Sequence, residues 1–282
     1  MNIIGLGQAG VKVAHEFEKY PQYETFYIDT KNKNKYKNFL KVEEQASHED
    51  YEAKYKNLNV KNIEGPVTLI LTGSGKISGL VLRLLEQLKK NQISILYIKP
   101  DPGGLSEKEK LCARLTFGIL QQYTRSSVLE KLYVVSNVMV ESVMESVSIP
   151  NYWKDINYII SSTFHMLNVF SNTEPVLTTD SVPGETSRIC TLGVIGYETL
   201  NEKLFYDLQK TRLKKYFFGI SENTLNEEKD LLQKIRAYVK EKSDAEERCT
   251  TCFSIYTTEY EKNYVYTVHY ASMIQEEKLI DN

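Results

Sequence analysis

Apolar positions along the chain follow two regimes. Up to about residue 174, short continuous apolar runs alternate with stretches whose apolar residues recur every three or four positions. Continuous runs read as strands buried on both faces, and the longer period reads as amphipathic helix. Strands are predicted over Asn2–Gly5, Thr25–Asp29, 67–73 ("VTLILTG"), 93–100 ("ISILYIKP") and 131–137 ("KLYVVSN"). Helices are predicted over 9–19, where Val11, Val13, Ala14 and Phe17 share a face, and over 80–90, 106–124 and 151–170. Residues 30–64 are strongly polar and predict short surface helices and loops. Strands alternating with helices imply a parallel sheet covered on both faces.

The pattern then changes. "EPVLTTDSVPGETS" reads as loop, "RICTLGVIGY" (188–197) as strand, 200–215 as a charged helix and "YFFGI" as a short strand. Residues 224–242 predict a helix with a capping box from Thr224 to Glu227 and an apolar stripe through Leu231, Ile235 and Val239. "CTTCFSIYTTE" and "YVYTVHYASMI" predict an antiparallel pair around "YEKN". The expected organisation is α/β throughout: a parallel-sheet domain over 1–150, a long connecting helix over 151–175 and a smaller α/β domain over 176–282.

Composition narrows the class. Apolar residues make up 41% and charged residues 26% of 282, the balance of a soluble globular protein. The net charge of −2 makes no electrostatic case for nucleic acid or an anionic membrane as partner. Four cysteines do not form a disulfide framework, which points to a reducing cytoplasmic compartment. The first ten residues lack a signal peptide's basic start, and no apolar run reaches the roughly 20 residues that cross a bilayer.

Candidate chemistry concentrates in two glycine-rich turns. The first carries Gly5-x-Gly7-x-x-Gly10 between a strand and a helix. Such a turn brings backbone N–H groups to phosphate at the positive end of a helix. It serves equally as a tight turn with close helix–strand packing. Asp29 closes the second strand, where a dinucleotide site places its ribose-binding acid, so an NAD-dependent oxidoreductase is one reading. The second turn, "GSGKISG" (73–79), also leaves a strand and opens a helix. It is no Walker A loop, because Ile70 and Ile77 stand where that motif needs Gly and Ser or Thr.

Several of these residues together resemble the tubulin/FtsZ superfamily. Gly7-Gln8-Ala9-Gly10-Val11 is similar to the first phosphate loop of tubulins, and "GSGKISG" stands where the signature GGGTG[ST]G would, retaining Gly73, Gly75 and Gly79. "ILYIKPDP", "YVVSNVMVESV" with Asn137, and Trp153 with Asn157 resemble the segments that follow, and the resemblance covers nearly the whole chain. It implies a Rossmann-like GTP-binding domain, a central helix and a smaller C-terminal domain. It further implies that Gly5, Gly7, Gln8, Ala9, Gly10, Asp29, Gly73, Ser74, Gly75, Lys76, Ile77, Ser78 and Gly79 surround the phosphates and sugar. Asn137, Trp153 and Asn157 would then hold guanine, although a tryptophan at a helix start also serves as an anchor. GTP or GDP, with Mg2+ left open, would be the ligand. Head-to-tail copies of the chain would be the partner, since heterologous contacts generate open filaments.

The chain departs from that pattern where hydrolysis is concerned. The loop expected to carry catalytic acids aligns with Leu177–Val182, placing Leu177, Thr179 and Val182 at the motif positions. Asp180 is the candidate catalytic acid, one step out of register, flanked by Glu174 and Glu185. Ser74, Lys76 and Ile77 replace small residues or threonine, and Gly104 and Lys108 fall where a ribose-binding Glu and Arg would. The expectation is a filament protein with weak or lost hydrolysis. A non-hydrolysing assembly protein of the same fold is the alternative. Cys249 and Cys252 have a CxxC spacing better explained by burial than by zinc, and the four histidines show no ligand spacing.

Overall fold

The computed structural model describes residues 1–31, 36–56, 58, 60, 63–144, 148–181, 183–184 and 186–276. Contacts divide the chain into two compact units, Met1–Ser162 and Thr163–Asn282.

In the first unit, β1 (Asn2–Leu6), β2 (Glu24–Asp29), β3 (Phe39–Lys41), β4 (Val67–Leu71), β5 (Ile93–Lys99) and β6 (Lys131–Ser136) form a parallel sheet in the order β3-β2-β1-β4-β5-β6. β1 and β4 are buried at every position, as expected of strands covered on both faces. The crossovers carry α1 (Gly7–His15), α2 (His48–Lys54), α3 (Val81–Gln87) and α4 (Glu107–Arg125). α4 has a full capping box between Ser106 and Glu109. Two short elements close the unit, α5 (Asn137–Glu141) and the start of α6 (Tyr152–Ser171). The predicted strands recur nearly as read. α1 starts two residues earlier than expected, inside the glycine turn itself, and β3 was hidden in the polar stretch.

The second unit holds β7 (Leu177–Thr178), β8 (Ile189–Ile195), β9 (Glu202–Leu204), β10 (Thr211–Ser221), α7 (Glu222–Glu227), α8 (Leu231–Asp244), β11 (Thr250–Thr258) and β12 (Tyr264–Ala271). Its strand order is β9-β8-β12-β10-β11-β7. Alternating residues of β10 face opposite ways. Tyr216, Phe218 and Ile220 pack with Leu231, Ile235 and Val239 of α8, while Phe217 stacks on Phe170 of α6 at 5.9 Å.

Three predictions fail here, for physical reasons. Residues 200–215 are not a helix. Leu200 and Lys210 take left-handed φ values of 52° and 54°, which an α-helix cannot contain, and strand pairing claims Glu202–Leu204 and Thr211 onward. The lysines that made the segment look solvated are partnered: Lys214 lies 3.0 Å from Glu246, and Lys215 pairs with Asp180. The single helix over 224–242 is two. Ser221 rather than Thr224 caps the first, and Glu228 leaves the helix at ψ 87° to hold Lys234 at 2.6 Å. β11 and β12 do not pair with each other. β10, exposed along its length only at Arg212, inserts between them, parallel to β11 and antiparallel to β12. No described helix is long and apolar enough to cross a membrane.

Candidate functional site

Strand order in the first unit reverses between β1 and β4: β2 and β3 continue one way, β5 and β6 the other. The crevice beyond the carboxyl ends of such a pair is where open α/β sheets receive ligands. Both glycine turns start there, one leaving β1 and the other β4.

In the first turn the three glycines do different work. Gly7 has φ +70°, a conformation that strains any L side chain, and a Cβ there would sit 2.8 Å from a methyl of Ile77. A Cβ on Gly5 would lie 2.6 Å from the Gly10 carbonyl oxygen, and one on Gly10 would run into the Ile70 carbonyl of β4. Gly5 and Gly10 therefore set α1 directly on β1 and β4. Gln8 is exposed and Ala9 half-buried at the start of α1. Leu6 precedes the helix with no side-chain cap, so the first N–H groups of α1 are open to an anion.

The second turn is held by one hydroxyl. Ser78 is 1% exposed. Its Oγ lies 2.7 Å from the Gly75 carbonyl, 3.0 Å from that of Gly73, 3.0 Å from His48 Nε2 and 3.4 Å from Thr116 Oγ1. His48 Nε2 is also 3.1 Å from the Gly75 carbonyl. A hydroxyl donates one hydrogen bond and accepts two, so its single proton is shared between the two carbonyls, the shorter contact being to Gly75, and its lone pairs face His48 and Thr116. Gly73 is pressed against Tyr97 and Ala113, and Gly79 against the His48 carbonyl. Gly75 has open space on its Cβ side, the nearest atom being a methyl of Ile77 at 3.8 Å. Ser74 is half-buried, with its Oγ 3.5 Å from Thr72 Oγ1. Lys76 is exposed, with no ion pair among the described residues.

Farther along the same edge, Asn137 opens α5 directly from β6. Trp153 is 55% exposed and meets Tyr152 edge-on, so it is not a core anchor. Tyr152 donates to Glu141 at 2.8 Å, tying α6 to α5, and burial followed by that carboxylate pushes its phenol above the ordinary range. Asn157 follows one turn later, half-buried. Neither asparagine amide has a partner among the described residues. Asp29, at the end of β2, accepts from the Thr30 N–H at 2.8 Å. Gly104 is exposed in the turn after β5, where Asp101 accepts from the Gly103 N–H at 2.9 Å.

Asp180 belongs to the second unit. Lys215 holds its carboxylate, and the Cys252 thiol, pushed up to about 11 by burial, lies 3.6 Å away. Val182 and Glu185 lie outside the described residues. Cys249 and Cys252 are buried thiols, and among the described residues no cluster of three His, Cys, Asp or Glu could hold a metal ion.

From the sequence, His48 had no role beyond its lack of ligand spacing, and Thr116 and Tyr97 had none at all. The signal for the first was present: Ser47 followed by Asp50 is a helix-start pattern, and Ser47 does accept from the Asp50 N–H. It announces α2 and places His48 in its first turn.

The chain has a tubulin/FtsZ-like fold. It is similar to a TubZ protofilament in the GDP form from Bacillus thuringiensis serovar israelensis, with a TM-score of 0.70 at 17% identity over 97% of this chain and 87% of that one. FtsZ from M. jannaschii, solved as an empty dimer, gives 0.68 at 13% over 96% and 87%. CetZ2 from Haloferax volcanii, a GTPγS-bound protofilament, gives 0.69 at 12% over 95% and 92%. No protein-family profile and no curated protein sequence matches the chain.

Proposed function

We propose that the protein binds a guanine nucleotide in the crevice between β1 and β4 and assembles head to tail with copies of itself as a tubulin/FtsZ-like cytoskeletal filament. The observation that carries this reading is the convergence of two glycine turns on one strand-order reversal, with the open N-terminus of α1 between them. The residues fit the ligand. Gly7 and Gly75 leave room for phosphate, Lys76 offers a cation, Asn137 and Asn157 keep uncommitted amides, and Trp153 presents an exposed ring for stacking. Residues 1–150 would form the nucleotide-binding part, 151–175 the connecting helix and 176–282 the second domain. Neighbours solved as GDP-form and GTPγS-bound protofilaments support the ligand and the self-assembly. Mg2+ is a poorer fit to these side chains, because the Ser78 hydroxyl is buried, with its proton turned to the turn carbonyls and His48 at 3.0 Å.

Hydrolysis is weak or lost on this reading. An acid that activates water needs its carboxylate within hydrogen-bond reach of that water, and Asp180 is engaged by Lys215 of its own chain. The same pairing favours the second reading, a filament protein without turnover. Guanine-nucleotide affinity, phosphate release at rising protein concentration, and pelleting with negative-stain microscopy decide between them. Micromolar GTP or GDP binding and nucleotide-dependent filaments are expected, with little release. Absence of guanine binding, or preference for NAD, would sink the proposal. Release that climbs steeply with concentration would restore Asp180 as a working acid.

A further inference from the structure

The starts of β10 and β11 and the end of β12 frame an open cavity of about 320 Å³ in the second unit, which Ser181, Gly184, Thr186 and Ser187 also line. Sheet register brings its residues together. Thr211 pairs with Ala271, Ala271 with Ile189, and Leu213 with Thr250, so Arg212, Ser272 and Thr250 share one end of the sheet with Ser187, which lies just before β8.

The lining has a distinctive chemistry. Of the residues lining it, Ser181, Thr186, Ser187, Thr250 and Ser272 carry hydroxyls and Arg212 a guanidinium. Among the described residues none of these side chains makes a hydrogen bond or ion pair within the chain. Among the described residues no carboxylate lines the cavity. The neighbouring acids are already taken, Asp180 by Lys215 and Glu246 by Lys214, while Glu185 lies outside the described residues. A second cavity of this unit, between Tyr197 and α8, differs in kind: its Glu228 and Lys234 satisfy each other.

We propose that this cavity binds a tetrahedral phosphate group. Hydroxyl rotors can each turn a proton toward an oxyanion oxygen, and a guanidinium supplies the charge together with a planar fork of donors. Neither glycine turn contributes, so the site stands or falls apart from the nucleotide reading. The phosphate has two possible sources, the free inorganic ion and the phosphate chain of a nucleotide.

Backbone amide NMR of the full chain tests the proposal, with Ser187, Arg212, Thr250 and Ser272 as reporters. The probes are sodium phosphate, GDP and GTP, each against sodium chloride at matched ionic strength. Saturable shifts at these amides are expected, and Arg212→Gln should weaken them about tenfold or more, as loss of a charge-assisted contact requires. Arg212 is exposed, so its replacement leaves the core intact; Thr250→Val, several-fold weaker, is the independent second variant. Saturation by phosphate alone assigns the free ion. Saturation by GTP or GDP without phosphate assigns the nucleotide. Shifts that follow chloride, or unchanged affinity in both variants, overturn the site and mark an adventitious ion only.

Discussion

The two glycine turns sit side by side at the carboxyl ends of β1 and β4, and they differ in what completes them. In the first, shape is set by missing atoms: Gly5 and Gly10 let α1 rest on the sheet, and Gly7 supplies a backbone conformation other residues resist. The second has steric glycines of its own, Gly73 and Gly79, and adds a polar group to them. The buried Ser78 hydroxyl gathers two turn carbonyls, His48 and Thr116 around one point. Steric exclusion tolerates almost no substitution, whereas a polar node tolerates change in the residues around it provided its own bonds are met. That difference lets the second turn carry the larger Ser74, Lys76 and Ile77 beside its node.

The sharpest way to break the comparison is Gly10→Ala. The new methyl would drive into the Ile70 carbonyl, which belongs to the middle of a fully buried strand and cannot move alone. Overpacking of this kind costs about 3 kcal/mol. Urea denaturation should show the loss as a lower midpoint with unchanged slope. A cost below about 1 kcal/mol would mean that α1 is not seated by glycine contact.

The same contrast explains what could be read from the sequence. Steric glycines leave a mark that spacing reveals, so the first turn and its flanking strand were visible at once. Continuous apolar runs likewise disclosed β1, β4 and β5. The polar node left no such mark, because His48 and Ser78 are distant in sequence and only the packing of α2 on the second turn joins them. The second unit was misread for a related reason. β10 carries Lys214 and Lys215, whose charges are answered by Glu246 and Asp180 from other elements, and a partnered charge cannot be told from a solvated one in a linear pattern. Asp180 was singled out for its carboxylate, while its local partner on β10 was invisible.

A smaller effect is expected from Ser78→Ala. The side chain shrinks without a clash, but the Gly73 carbonyl and His48 lose the hydroxyl in a buried setting, while the Gly75 carbonyl keeps the Ser78 backbone N–H at 3.0 Å. Leaving buried polar groups unpaired costs about 2 kcal/mol. If the node shapes the phosphate side of the crevice, guanine-nucleotide affinity should fall together with stability. Loss of stability with affinity unchanged would confine the node to packing, and no loss of either would remove it from the description of the turn.

Gly75→Ala should have the smallest effect on stability and the most informative one on function. Of the glycines in the second turn, Gly73 and Gly79 are held to glycine by Tyr97, Ala113 and His48, but Gly75 is not. Its φ of −79° and ψ of 140° suit alanine, and the nearest atom to a new methyl is 3.8 Å away. Replacing such a glycine restricts the unfolded chain and should stabilise the protein by about 0.5 kcal/mol. Nothing among the described residues therefore accounts for glycine at this position. If glycine stands there so that phosphate can approach the backbone, alanine should raise the urea midpoint slightly while weakening GTP and GDP binding. A methyl that raises stability and leaves affinity untouched would remove Gly75 from the phosphate contacts and leave the first turn to hold the phosphates without it.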